Sequence, residues 1–191
     1  MDNFLEYLSG NFLLTADETD LIKSVLKTKR LRKKQYLLQE GDVWKFNAFV
    51  SKGFLRTYRV DDKGQEHYIQ FSVENWWAGD RESYITGEPA KYNIDAFEDS
   101  EVVLIGKDDF EMLLREIPNL ATFMRNLLER SFIALRNRVH SNITFSAEEK
   151  YQNFLKTYPD MTNRLPQHMI ASYLGITAET LSRVRNQTAK K

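Results

Sequence analysis

The sequence predicts an α+β protein: a strand-rich N-terminal half, one long helix and a helical C-terminal module. Three observations carry this. Between Gly41–Asp42 and about Ile105 the chain offers short apolar or alternating runs separated by turn residues. From Pro118 to about Val139 it keeps a helical periodicity, and "QHMIASYLGITAETLSRVRN" at 167–186 has the spacing of two short helices joined by a glycine turn. Short strands with turns every ~8–12 residues argue for a sandwich or barrel.

The elements follow in order. Thr15 with Glu18 forms a capping box ahead of Leu21, Ile22, Val25 and Leu26, which share one helical face. "LRKKQYLLQEGD" is a basic run, a short apolar run and a Gly41–Asp42 turn. In "FLRTYRV", Phe54, Arg56, Tyr58 and Val60 alternate with Leu55, Thr57 and Arg59; the turn "DDKG" and the return strand "HYIQF" make a hairpin. "YNIDAF" and "EVVLI" are two further strands joined by the acidic turn "EDS". Asp108 and Glu111 are the expected caps of the next helix, which Pro118 interrupts. The long helix carries Leu120, Met124, Leu127, Leu128 and Leu135, which either pack on their own domain or form a dimer seam. Ser146 and Glu149 cap another helix with Tyr151, Phe154 and Leu155 inside, and "YPDMTNR" is a loop.

Composition narrows the class. A 191-residue chain with 42% hydrophobic and 28% charged residues is ordinary for a folded protein. No run reaches the ~18–20 apolar residues that span a bilayer, and "MDNFLEYLSG" lacks the basic start of an export signal. The cytoplasm is the expected location, with no membrane partner. The absence of cysteine removes disulfides, thiolate zinc sites, iron–sulfur clusters and thiol catalysis. His67, His140 and His168 are scattered over separate elements, and the chain has no phosphate-binding Gly-rich loop and no nucleophile elbow. Neither an enzyme nor a resident metal or cofactor is expected. Net charge is zero, yet Arg136–Lys191 holds nine Lys/Arg against four Asp/Glu. A basic C-terminal quarter suits contact with phosphate.

The string at 167–186 meets the mechanics of a helix-turn-helix. Ala171 is small where the second helix crosses the first, and Gly175 stands where the chain must reverse. Ile170, Leu174, Ile176, Leu181 and Val184 fall at the offsets that hold the helices together. Pro166 suits the first turn of the first helix and Thr177 the N-cap of the second. Thr177, Ala178, Glu179, Ser182 and Arg183 then lie at the outward, N-terminal end that enters a major groove. Arg183 can donate twice to guanine O6/N7, and Glu179 can accept from a cytosine or adenine amino group. Gln167, Arg185, Lys190 and Lys191 suit phosphate. Helical hairpins with Ala and Gly also serve other folds, so a sensor module whose C-terminal helices meet a protein partner is the alternative.

Strands, long helix and helix-turn-helix in this order resemble the CRP/FNR family of transcription regulators over nearly the whole chain. "LLQEGD", "SKGFLRTYRVDDKGQE", "NWWAGDRES", "AFEDSEVVLI" and "GITAETLSRVR" carry the resemblance, with Gly41, Gly53 and Gly79 at family glycines. It implies a double-stranded β-helix (jelly-roll) effector domain over 1–116, a dimerisation helix over 117–142 and a helix-turn-helix domain over 143–191. It also implies a homodimer on double-stranded DNA, RNA polymerase as a partner and a small-molecule effector. The Glu-x-x-Ser-Arg string is similar to the FNR branch, whose half-sites are TTGA-like, which makes Glu179, Ser182 and Arg183 the expected base readers.

Two departures from the family pattern stand out. Its nucleotide binders carry Gly-Glu-Leu and Arg-Ser/Thr-Ala in the phosphate cassette; here the matching residues are Gly79, Asp80, Arg81, Glu82 and Ser83, then Lys91, Tyr92 and Asn93. Lysine does not replace a bidentate guanidinium. Cyclic AMP is therefore not the expected effector, and the Trp76–Trp77 pair either packs the roll or lines a pocket for another ligand. His67 is a poor haem ligand. Finally, about six residues follow Arg185, too few for the paired strands of the family's wing, so a truncated wing is expected.

Overall fold

In the computed structural model, which describes residues 2–188, helices α1 (Asp2–Ser9) and α2 (Ala16–Val25) precede the strands. The Thr15 hydroxyl accepts from the Glu18 N–H, and the Glu18 carboxylate accepts from the Thr15 N–H at 2.8 Å, which completes the expected capping box. Then come β1 (Lys27–Leu31), β2 (Tyr36–Leu38), β3 (Phe46–Lys52), β4 (Leu55–Val60), β5 (Glu66–Ser72) and β6 (Trp77–Ala78). Helix α3 (Arg81–Thr86) leads to β7 (Asn93–Ala96) and β8 (Ser100–Gly106). The helices α4 (Lys107–Glu116), α5 (Pro118–Thr144), α6 (Ala147–Thr157), α7 (Pro159–Thr162), α8 (Gln167–Leu174) and α9 (Ala178–Thr188) follow. The chain divides into two compact units, Met1–Leu127 and Leu128–Lys191.

The first unit is a two-sheet β-roll with all pairs antiparallel. One sheet runs β1-β8-β3-β6 and the other β2-β7-β4-β5. Period-2 alternation sorts the side chains of β3 and β8. Ala48, Val50, Val102 and Leu104 join Leu38, Leu55, Ile94 and Ala96 of the second sheet in one core. Phe49, Val103 and Ile105 point the other way, into a core closed by Phe4, Leu8, Ile22, Phe110, Leu113, Ile117, Leu120 and Met124 from the helices. Each of the larger of these side chains, Val, Leu, Ile, Phe or Met, contributes roughly 1.5–3 kcal/mol of burial.

The expected hairpin is β4–β5. Asp61 Oδ1 accepts from the N–H groups of Lys63 and Gln65, both at 2.9 Å, and Gly64 N–H closes on the Asp61 carbonyl. The strict alternation expected through Phe54–Val60 is not kept: Phe54 and Leu55 are both buried, Thr57 and Tyr58 are both buried where the β4–β5 register shifts, and Arg59 and Val60 are both exposed. The extra residue of this bulge is Ile69 on β5, between the partners of Thr57 and Tyr58.

Three helical details differ from the sequence reading. The N-cap of α4 is Gly106, with no side-chain cap bond, because the helix starts directly off β8; Asp108 and Asp109 sit in its first turn, where their charge favours the helix dipole. Helix α5 runs past Val139 to Thr144 and spans about 40 Å, since nothing breaks it before the Ser146–Glu149 capping box. Within "YPDMTNR", Pro159 opens the single turn α7, its fixed φ suiting a first helical position. In α6, Tyr151 and Phe154 are buried as expected.

Candidate nucleic-acid interface and effector cassette

In the helical unit, α8 and α9 meet at Gly175, which adopts the left-handed conformation (φ 66°, ψ 34°). Its N–H donates to the carbonyls of Ala171 and Ser172, and the Ile176 N–H returns to Ala171 at 3.0 Å, which satisfies the open end of α8. Pro166 occupies the N-cap of α8, one residue ahead of the predicted first turn. Ile170, Ala171, Leu174, Leu181 and Val184 are all buried, and α8 packs on α9. Ile176 is half-buried.

The polar residues of α9 take the opposite side. Thr177 is the N-cap, its hydroxyl accepting from the Thr180 N–H at 3.1 Å. Glu179, Ser182 and Arg183 are exposed and share one face, as do the exposed Thr177 and Ala178 at its start. The Glu179 carboxyl is held below its usual range first by its own N–H and then by the Thr177 hydroxyl, with a smaller pull from Arg183. It therefore stays an acceptor. One Arg183 Nη donates to Thr180 Oγ1 at 3.3 Å, which directs the guanidinium along the helix without burying it. Of the residues assigned to phosphate, Gln167 is exposed and Arg185 half-buried. Lys190 and Lys191 lie outside the described residues.

The predicted dimer seam divides in two. Leu120 and Met124 are buried in the core of the first unit, and Leu127 packs against it, so these three do not form an open stripe. The amphipathic pattern of the sequence does not distinguish a core-facing turn from a free one. Leu128 and Leu135 are exposed, and Phe132 (67%), Val139 and Ile143 (78%) continue them at spacings of four, three, four and four. That is the spacing of a coiled-coil seam.

The cassette residues come together, but they satisfy one another. The buried Asp80 caps α3: one carboxylate oxygen accepts from the Ser83 N–H at 3.0 Å, and the other from the Lys91 N–H at 3.4 Å. Ser83 Oγ donates to the Glu88 carbonyl at 2.6 Å and accepts from the Trp44 N–H at 2.9 Å. The Lys91 ammonium pairs with Glu82, which raises its pKa, while Arg81 lies over the Tyr84 ring at 5.1 Å. Asn93 accepts from the Glu40 N–H at 3.0 Å, and Tyr92 is half-buried. The Trp44 indole presses on Gly79: a Cβ built there would lie 2.5 Å from its Nε1. Trp44 and Tyr84 are both buried in the core shared by the two sheets. Trp77 packs against Phe4, Phe49 and Phe110 at 5.6–6.1 Å, whereas Trp76 is more exposed.

One cluster has no counterpart in the sequence reading. Arg56 on β4 is held by Asp95 at 2.6 and 2.8 Å, by Glu66 at 2.9 Å and by the Tyr68 hydroxyl at 3.0 Å. Its guanidinium lies over the rings of Tyr58 and Tyr68. Burial opposes the charge, but the Asp95 hydrogen bond and charge outweigh it and raise the Arg56 pKa. Burial raises both tyrosines. The signal would have been Arg56 opposite Asp95, a pairing that only the β4–β7 register reveals. His67 bonds Asp61 at 2.9 Å, and among the described residues no cluster of His, Asp or Glu could hold a metal ion. Among the described residues, no helix is long and apolar enough to cross a membrane.

Residues 28–116 match the cyclic nucleotide-binding domain family. The transcriptional activator protein Anr of Pseudomonas aeruginosa is 25% identical over 187 residues, covering 90% of this chain and 74% of the relative. The fumarate and nitrate reduction regulatory protein of Vibrio cholerae is 24% identical over 196 residues, covering 94% and 76%. Among solved structures, FixK2 of Bradyrhizobium japonicum superposes with a TM-score of 0.71 at 19% identity, over 87% of this chain and 85% of that one. A cyclic-nucleotide-binding type of roll, a long helix and a helix-turn-helix are thus the parts of a CRP/FNR-type transcription regulator. The relatives and structural neighbours of this chain are transcription regulators of the CRP/FNR family.

Proposed function

We propose that the protein is a homodimeric, sequence-specific regulator that reads a near-palindromic DNA site through α9. The observation that carries this is the sidedness of α9: Leu181 and Val184 are buried against its own unit, while Glu179, Ser182 and Arg183 stand exposed together. The exposed stripe from Leu128 to Ile143 supports dimerisation through α5. A two-fold dimer matches half-sites one helical turn, ~34 Å, apart. Thr177 positions the head of α9, Glu179, Ser182 and Arg183 read base edges, and Gln167 and Arg185 hold phosphate. RNA polymerase is the further partner, and the cytoplasm is where the protein acts.

The effector domain takes no cyclic nucleotide: Asp80 is committed to capping α3, and Lys91 to Glu82. Fluorescence anisotropy with a TTGA-type palindrome and a random duplex tests the central claim. The palindrome is expected to bind more tightly, with affinity falling steeply as salt rises. No binding to either duplex at low salt overturns the proposal.

A further inference from the structure

The helical unit contains a cleft that DNA reading does not use. It lies between the C-terminal half of α5, α6 and the end of α8, and its volume is about 210 Å³. Sites for drug-sized ligands run ~300–1,000 Å³, so this one suits a small molecule. Its floor is Phe154 and Leu174, both buried, beside an aromatic group of Phe154, Tyr158 and Tyr173 whose centroids lie 5.4–6.3 Å apart.

The polar rim has one sign. Arg138 and Lys150 line the cleft with the amides of Asn137, Asn142 and Asn153, and no Asp or Glu is among the lining residues. The Arg138 guanidinium stacks on Tyr173 at 4.1 Å, which fixes its plane at the cleft. Of the acids on α6, Glu149 is occupied by the Ser146 capping box. Among the described residues, the side chains of Lys150, Asn137, Asn142 and Asn153 make no hydrogen bond or ion pair. A cation and three amides around an apolar floor, without protein partners of their own, match an anion with an apolar body.

Most of the cleft is clear of the dimer seam; of the α5 residues lining it only Asn142, roughly 60° from the centre of the stripe, lies on the flank of the seam. At ~100° per residue, Ala134, Asn137, Arg138 and Ser141 lie roughly 100–160° around α5 from the centre of the Leu128–Ile143 stripe. A second subunit on that stripe leaves these side chains uncovered. Tyr173 and Leu174 are the last residues before the Gly175 turn, so an occupant would touch the helix that feeds the reading head.

We propose that this cleft binds a small carboxylate with an apolar body, its charge held by Lys150 and Arg138 and its oxygens by the three asparagine amides. The test follows the side-chain amide resonances of Asn137, Asn142 and Asn153 in the ¹⁵N-labelled full chain. Sodium benzoate is the probe; inorganic phosphate and chloride at equal ionic strength are the controls. Benzoate is expected to shift the three amides saturably. Lys150→Gln and, separately, Asn153→Leu should each weaken it about tenfold, as loss of a charge-assisted or fully used hydrogen bond does. Asn153 is exposed and Lys150 half-buried, and neither is part of the apolar core, so each variant should keep the backbone spectrum of the native fold. Equal shifts with chloride, or unchanged benzoate affinity in both variants, overturn the site. Phosphate binding as tight as benzoate overturns the carboxylate assignment, and shifts seen only with duplex DNA would mean that the cleft seats a DNA phosphate.

Discussion

Replacing Gly175 by alanine isolates the energy of the turn that separates the two reading helices. Gly175 has φ 66°, and a Cβ built on it meets nothing within 4 Å. The cost therefore comes only from the left-handed backbone, about 1–2 kcal/mol for a residue with a Cβ. That lowers the folded-to-unfolded ratio of the helical unit about 5–30-fold. Asparagine tolerates this conformation better, so Gly175→Asn should recover much of the loss. Gly79→Ala provides the contrast: φ is +150°, and the new Cβ would lie 2.5 Å from Trp44 Nε1. Strain and overpacking add there, for about 3 kcal/mol or more. Urea titrations followed by circular dichroism measure both variants, with the midpoint expected to move and the slope to stay. If Gly175→Ala costs as much as Gly79→Ala, or if asparagine fares no better than alanine, the turn does not depend on a left-handed residue and the argument fails.

Other outcomes follow from the same geometry. Arg183→Ala should lose about 1–3 kcal/mol of discrimination at one base pair; equal weakening on all duplexes would make Arg183 a phosphate contact instead. Phe132→Glu places a charge within the exposed α5 stripe and should yield a folded monomer by sedimentation; an unchanged dimer rejects the seam. Cyclic AMP at millimolar concentration should leave Tm unchanged, whereas a ligand at 100 times its Kd would add ~2.7 kcal/mol. The Glu149 carboxyl lies below its ordinary pKa because the Ser146 N–H and hydroxyl bond its charged form. Its contribution is thus complete above the ordinary carboxylate range and lost as pH falls through and below it. Glu149→Gln keeps the cap and should flatten that acid-side loss in thermal melts.

Local physics made the reading head legible. Its glycine, its N-cap and its apolar offsets fall within one 20-residue string, and each acts on neighbours three or four positions away. Both capping boxes were legible for the same reason. Strand partnership was not. β7 and β8 are consecutive, yet β7 pairs with β2 and β4 while β8 pairs with β1 and β3. That choice depends on residues as far apart as Lys27 and Leu104, and it hid the Arg56–Asp95 pair. The α5 leucines show the limit of periodicity: Met124 and Leu135 look alike in sequence, but one is core and the other faces outward. The α5–α6–α8 cleft was invisible because Arg138, Lys150 and Tyr173 belong to three separate helices.

The self-satisfied cassette also bears on how reversible this lineage of roll is. Introducing an arginine where the nucleotide binders have one would not recreate an anion seat. Asp80 would still be tied to Ser83, Glu82 would still stand within reach of the new arginine as it now pairs with Lys91, and the Trp44 ring would still fill the space beside Gly79. Each step back sacrifices a working contact before the full set can reward it. On the proposed reading, a designer aiming to build a cyclic-nucleotide response into this domain would have to change Trp44, Glu82 and Lys91 together.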